Sequence, residues 1–297
     1  MTGYLIFQGL SPTLWGAIYA ITFLLILVAL LPETLRSLVG NGSVAPPKYA
    51  VSLFSAWAIK HNVGSEDSSI APARRINVLG SITILIERRP LYTILFVGLF
   101  YMVWQMVVTV LSSVFQATYS MSDLQVGLVY LANGVGCMVG TLTTGKLLDV
   151  DYRRYKKRFA QSESNFPLEK VRLRMIYIYG PLQCIAVLVF SWVVEKHIHV
   201  SIPIICLFFI GWAATSIQSI VSTFLVDLYL DRSASATAAL NIVRCLLGAA
   251  GTAAVAPAIR AVGIGWTFTI FSALMALSVI SMSIKYMCGF KSLTSRR

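Results

Sequence analysis

The chain alternates long, almost uncharged apolar segments with shorter polar connections. Seven apolar segments contain about 18 or more residues, the length that an α-helix needs to cross the hydrocarbon core of a bilayer. They occupy residues 14–31, 91–115, 124–148, 175–194, 201–226, 234–259 and 265–288. The pattern therefore predicts an all-α, multi-pass membrane protein with seven transmembrane helices.

The composition excludes a soluble globular protein, since 57% of the residues are hydrophobic, 12% are charged and the mean hydropathy is +0.76. A net charge of +12 would suggest a nucleic-acid partner for a soluble domain, but here the basic residues lie mainly between the apolar segments. We therefore expect a lipid bilayer as partner and no nucleic acid. The five cysteines lack C-x-x-C spacing, which indicates packing residues without a metal site.

Lysine and arginine residues are concentrated in alternate connections. Seven lie within residues 32–89 and eight within 149–174, and the C-terminal end carries more. The connections on the opposite side, 116–123, 195–200 and 260–264, contain only Lys196 and Arg260. Because basic loops stay on the cytoplasmic side of a membrane, this asymmetry predicts an outside N-terminus and a cytoplasmic C-terminus. We expect the protein to lie in the plasma membrane.

The pattern also predicts four regions. Residues 1–35 contain the first transmembrane helix, which lacks the basic start and the cleavage site of a signal peptide. Residues 36–89 form a flexible cytoplasmic linker, because their proline pair and polar runs cannot bury a core. Residues 90–290 form a six-helix transmembrane bundle, and residues 291–297 form a basic cytoplasmic tail.

One ionisable residue, Arg244, lies in the middle of an apolar segment, and Asn241 precedes it by about one helical turn. An arginine in the membrane costs at least a few kcal/mol and by default marks a path for ions or substrate, although it can also snorkel or be paired structurally. Polar residues of other segments extend the candidate substrate path, although each alone is more often a contact between helices. They are Tyr101, Gln105, Asn133 and Gln218.

Glycines indicate where helices approach closely. Gly136 and Gly140 have the G-x-x-x-G spacing that lets two helix backbones come together. The segment around Gly248 is rich in alanine and glycine, so protein should surround it. We predict a helix-packing role for these three glycines.

Three stretches together resemble the major facilitator superfamily in the form of the fungal drug:proton antiporters. GKLLDVDYRR at 145–154 is similar to the loop signature of the second half, PETLRSLVGNGS at 32–43 to the end of helix six, and RSASATAALNIVRC at 232–245 to the loop into helix eleven. The resemblance covers helices six to twelve of a twelve-helix fold, that is, one lone helix and a C-terminal six-helix half. It implies a secondary active transporter that exports amphipathic small molecules, such as drugs, toxins or secondary metabolites, in exchange for protons.

A cytoplasmic latch is predicted at the end of residues 124–148. Asp149 would accept hydrogen bonds from the first amides of the 234–259 helix, whose dipole favours a negative charge there. Arg153 or Arg154 would reach Asp227 or Asp231.

Other functions remain open at this point. Neither a catalytic constellation nor a nucleotide-binding loop is visible, so we expect neither an enzyme nor a cofactor. A seven-helix receptor fits the same topology, although its usual motifs are absent. Two further alternatives are that the chain pairs with a complementary transporter half and that it is the product of a non-functional truncated transporter gene.

Overall fold

The computed structural model describes residues 12–30, 80–158, 174–229 and 232–294. Within these ranges the secondary structure is helical and contains no strand. The chain divides into two compact units, Met1–Ile76 and Asn77–Arg297. The expectation of an all-α membrane fold is confirmed.

The described part of the first unit is a single apolar helix, α1 (Pro12–Leu30). Its 19 residues span about 28 Å, close to the thickness of a hydrocarbon core. It carries no charged residue, as expected for an element in contact with lipid.

Seven helices make up the described part of the second unit. They are α2 (Gly80–Ile86), α3 (Arg88–Tyr119), α4 (Asp123–Arg158), α5 (Ile176–Glu195), α6 (Ser201–Leu228), α7 (Ser233–Val262) and α8 (Ile264–Thr294). The helices α3 to α8 are each long and apolar enough to cross a membrane. These six correspond to the six-helix bundle that the sequence predicts.

The helix α6 packs against four neighbours, α3, α4, α5 and α7. The other extensive contacts join α3 to α7 and α5 to α8. Aromatic side chains fill the centre of the bundle, where Phe190 stacks with Phe115 and meets Phe268 edge-on. Such packing, with hydrogen bonds between helices, holds a bundle together in lipid, since apolar burial adds little there.

The contact between α4 and α6 depends on glycine. A Cβ atom on Gly136 would lie 3.0 Å from the carbonyl carbon of Phe208 and closer still to its oxygen. A Cβ on Gly140 would lie 2.6 Å from the carbonyl oxygen of Trp212. Only a residue without a side chain allows the two backbones to approach this closely.

The largest differences from the sequence prediction lie in three places. Residues 80–86, which the sequence assigns to the flexible linker, form α2, because Ile84 is buried (1% exposed) and α2 packs on α7. The helix α4 runs on to Arg158, ten residues beyond the predicted end. Its last residues are rich in lysine and arginine, whose high helix propensity extends the helix past the membrane span. The helix α8 runs on to Thr294, into the tail predicted at 291–297, because no proline interrupts it there. The linker residues before position 80 and residues 295–297 lie outside the described residues.

The helices α4 and α7 are the least enclosed spans. Only 28% of the most apolar window of α4 and 17% of that of α7 are buried, against 56% for α3, α5 and α6. The open side of α7 carries small residues, among them Ala249, Ala250 and Ala253. The open side of α4 includes Gly127 and Gly134, where an added Cβ would meet no atom within 4 Å.

Candidate functional site

Arg244 lies against an aromatic ring of a neighbouring helix. Its guanidinium carbon is 4.8 Å from the centroid of the Tyr101 ring, which places a helix-α7 cation over a helix-α3 π-face. Gly248, one turn further along α7, makes room for the ring, since a Cβ there would lie 3.0 Å from Cε1 of Tyr101. The cation–π contact is worth about 0.5–2 kcal/mol, the larger value applying when the pair is desolvated.

The guanidinium of Arg244 has unused hydrogen-bonding capacity. Its Nε atom is buried and without a partner, and no hydrogen bond or ion pair of Arg244 occurs within the described ranges. The residue as a whole is only half-buried, and Nε is its only nitrogen that is both buried and unpaired. The two terminal nitrogens are therefore open to a partner that this bundle does not supply.

A chain of contacts leads from Arg244 to α4. Tyr101 meets Trp104 edge-on, with 5.5 Å between the ring centroids. The indole Nε1 of Trp104 donates a 3.3 Å hydrogen bond to Oδ1 of Asn133, which is 7% exposed. We call Arg244, Tyr101, Trp104 and Asn133 the Arg244 cluster, and it joins α7, α3 and α4.

Asn133 also touches α6. A Cβ atom on Gly211 would lie 2.6 Å from both the backbone oxygen and Oδ1 of Asn133. Further towards the cytoplasmic end that the charge pattern predicts, two side-chain pairs join the same helices: Trp212 Nε1 donates to Thr143 Oγ1 over 3.2 Å, and Thr144 Oγ1 donates to Ser216 Oγ over 2.8 Å. This face of α4 is therefore fixed on α6, and Asn133 positions Trp104.

The other residues of the predicted substrate path are not part of the Arg244 cluster. Gln105 flanks the same contact between α3 and α7, with its Cγ atom 3.8 Å from where a Cβ on Gly248 would lie. Gln218 is half-buried on α6 and Asn241 is exposed on α7. No hydrogen bond or ring contact among the described residues joins Gln218 or Asn241 to the Arg244 cluster.

The latch residues lie at the cytoplasmic end predicted for α4. Asp149, Arg153 and Arg154 are exposed, and Asp227 is half-buried near the end of α6. Within the described ranges the Asp149 carboxylate accepts no hydrogen bond from the amides that begin α7, so the predicted cap is not formed in this structure. Asp231 lies outside the described residues. The latch remains a prediction.

A carboxylate does cap a helix at the opposite end of the bundle. Oε2 of Glu195 accepts hydrogen bonds from the backbone amides of Ile264, at 3.1 Å, and Gly265, at 3.2 Å. Gly263, which precedes them, has a φ of 85°, a conformation that glycine adopts without strain. The negative charge lies at the start of α8, where the helix dipole favours it. Sequence reasoning missed this cap, because 69 residues separate Glu195 from Ile264.

A second unforeseen contact lies just outside the spans. The hydroxyl of Tyr229, one residue after α6, donates a hydrogen bond to the carboxylate of Glu87, between α2 and α3. The pKa of Tyr229 is raised to about 12. Burial is the largest cause, and this hydrogen bond and the negative charge of Glu87 add to it. The contact holds the start of α3 to the end of α6.

The described ranges contain no candidate metal-binding site. No group of three or more histidine, cysteine, aspartate or glutamate side chains there is close enough to hold an ion. Besides Nε of Arg244, the buried side-chain atom without a partner in the described part of the chain is Oε1 of Gln183, whose Nε2 donates to the backbone oxygen of Phe100.

Comparison with known proteins identifies the family. The model of the Major Facilitator Superfamily matches residues 1–252. The MFS-type transporter phiL of a fungal species is 35% identical over 87% of this chain, and the MFS antiporter QDR2 of Candida albicans is 33% identical over 84%. Citrate exporter 1 of Aspergillus niger is 32% identical over 84% of this chain.

This chain spans only part of the length of these relatives. The matched region covers 66% of phiL, 51% of QDR2 and 50% of Citrate exporter 1. The match of the family model extends over most of the chain, through α1 and into α7. The chain therefore belongs to the Major Facilitator Superfamily of transporters.

Proposed function

We propose that this chain supplies one six-helix bundle of a secondary active exporter of amphipathic small molecules, driven by proton antiport. The observation that carries the proposal is Arg244, a half-buried cation inside a membrane span whose terminal nitrogens have no partner in the described bundle. A permanent charge at this depth is expensive, and a role in transport explains its presence.

The energetics favour a role in transport over a purely structural one. An arginine near the centre of a membrane helix costs about 2.5–3.5 kcal/mol even on the lowest scales. Its contact with Tyr101 returns about 0.5–2 kcal/mol, so an uncompensated cost remains. An aqueous cavity or a bound substrate removes that cost, and either one belongs to a transport path.

The relatives support the direction and the coupling. One is named an antiporter and another a citrate exporter, and both match most of this chain. Membership of a transporter family also disfavours an enzyme and the alternative of a seven-helix receptor. The names of the relatives differ in substrate, so they support export of small molecules as a class.

The proton-coupling residue lies outside this bundle in our proposal. Every described aspartate and glutamate lies outside the apolar spans or at their ends: Glu87, Asp123, Asp149, Asp151, Glu195 and Asp227. An arginine cannot release its proton at physiological pH, so Arg244 does not carry the exchanged proton. A complementary half therefore contributes the carboxylate that does.

The open faces of α4 and α7 are where that half would pack. Their small residues permit the close approach by which membrane helices associate. Asn241 and Arg244 lie on or beside the open face of α7, so a transport path between two halves would pass them.

A pairing experiment tests the proposal. The chain is co-expressed with the amino-terminal half of QDR2 in a yeast strain that lacks its own efflux pumps, and pairing is verified by co-purification. We expect accumulation of a fluorescent amphipathic probe, rhodamine 6G or coumarin-3-carboxylate, to fall, and a protonophore to restore it. Unchanged accumulation of both probes by a co-purifying pair would contradict the proposal.

The orientation has its own test. The distribution of lysine and arginine predicts that Lys196 lies outside and Lys156 in the cytoplasm. A cysteine introduced at position 196 of a cysteine-free variant should react with a membrane-impermeant maleimide in intact cells, and one at position 156 only after permeabilisation. The reverse pattern would overturn the proposed orientation.

A further inference from the structure

We propose that Arg244 is the binding point for the carboxylate of an organic anion, with the flat apolar body of that anion lying against Tyr101 and Trp104. This inference rests on the proposed export function and names the substrate class. It concerns binding, so it is testable without transport.

The first argument comes from the donors of the guanidinium. Arginine has five N–H groups arranged so that two can bind both oxygens of one carboxylate. The Nε end of Arg244 is enclosed, while the terminal nitrogens are accessible and form no hydrogen bond with the described residues. The available edge of the group is therefore the one that binds a planar anion.

The second argument comes from the missing counter-charge. The helices α3, α7 and α8 carry no acidic residue. The acidic residues of α4, α5 and α6 lie at the ends of their apolar spans: Asp123, Asp149, Asp151, Glu195 and Asp227. The membrane-embedded middle of the bundle therefore holds a positive charge without a negative one. A cationic substrate would be repelled there, and a neutral one would leave the charge unpaired.

The third argument comes from the rings beside the guanidinium. Tyr101 and Trp104 are both half-buried and meet at an interplanar angle of 67°. The only N–H of the Trp104 indole is used by Asn133, so Trp104 offers a substrate only its apolar surface. Aromatic faces next to a cation suit a flat apolar skeleton that carries a carboxylate.

The test compares two probes of the same shape. Coumarin-3-carboxylate and its neutral carboxamide are titrated with the purified 297-residue chain in nanodiscs of phosphatidylcholine, a lipid without net charge. Binding is measured by fluorescence anisotropy. We expect the carboxylate to bind about ten-fold or more tightly than the amide, because a hydrogen-bonded charge pair is worth at least one factor of ten.

Matched variants assign the preference to Arg244. Arg244→Gln should reduce the ratio of the two affinities to near one, and Arg244→Lys should keep part of the preference, since lysine retains the charge but lacks the planar fork. Arg260→Gln removes an equal charge from the exposed end of the same helix and should leave the ratio unchanged. Gel filtration and circular dichroism check that each variant is folded.

Three results would overturn the inference. They are equal binding of the two probes by the unaltered chain, an unchanged ratio in folded Arg244→Gln, and an equal loss in Arg260→Gln. Failure here is distinguishable from failure of the proposed function, because a pair of halves that exports rhodamine 6G, a cation, would still be an exporter whose Arg244 has another role. Conversely, a carboxylate preference without export would leave a binding site in a chain that does not transport.

Discussion

Replacement of Gly136 by alanine tests the close contact of α4 and α6. The added Cβ would lie 3.0 Å from the carbonyl carbon and 3.1 Å from Cα of Phe208, and closer still to the carbonyl oxygen. These are backbone atoms of a helix, so they cannot rotate away, and the helices must part by about 1 Å to restore ordinary contact distances. Overpacking of this kind costs about 1–3 kcal/mol.

The matched control is Gly134→Ala, two residues earlier on the same helix. An added Cβ there meets no atom within 4 Å, so the change brings only the helix-forming advantage of alanine, up to about 1 kcal/mol. Unfolding of both variants by sodium dodecyl sulfate in mixed micelles, followed by circular dichroism, gives the comparison. We expect Gly136→Ala to be less stable than Gly134→Ala by about 1–3 kcal/mol. Equal stability would refute the argument from backbone contact.

Two further predictions concern the helix ends. Glu195→Gln should lower the stability of the bundle by about 0.5–2 kcal/mol in the same unfolding measurement, because the negative charge that caps α8 is lost; an unchanged midpoint would show that the cap is not stabilising. The pKa of Tyr229 is raised to about 12, so the folded protein favours the protonated phenol more than the unfolded chain does. The stability that the protonated Tyr229 contributes is therefore complete below pH 10 and is lost as the pH rises from 10 to 12. The pKa of Tyr229 can be measured by spectrophotometric titration at high pH, with the Tyr229→Phe variant subtracted to isolate this one phenol. Glu87→Gln should lower the pKa of Tyr229 but leave it above 10, since burial remains. An unaltered titration would show that Glu87 does not raise this pKa.

The spanning helices could be predicted from the sequence because their physics is local. A helix satisfies its own backbone hydrogen bonds, so a long apolar segment in a bilayer has few alternatives. The described bounds of α6, Ser201–Leu228, differ by two residues from the predicted 201–226. Where the apolar signal fades, as in α2 and at the end of α4, prediction failed, because burial of Ile84 and helix propensity outside the lipid decide those boundaries.

The candidate site was only partly predictable. Arg244 is conspicuous because its segment contains no other charge, but its partner is not, since 143 positions separate it from Tyr101 and no local pattern connects them. Trp104 was not among the predicted path residues, although it is the link between Tyr101 and Asn133. Long-range pairs of this kind depend on how the helices pack, as does the capping of α8 by Glu195, which the sequence did not predict.

Transport by reconstituted vesicles tests the central claim most directly. The chain and the amino-terminal half of QDR2 are co-reconstituted, a pH gradient is imposed, and uptake of coumarin-3-carboxylate is followed by fluorescence. We predict uptake that collapses with the gradient, that is absent from vesicles containing this chain alone, and that is abolished by Arg244→Ala without loss of the protein from the membrane. Uptake by the paired halves that is independent of the gradient, or equally fast with Arg244→Ala, would contradict the account.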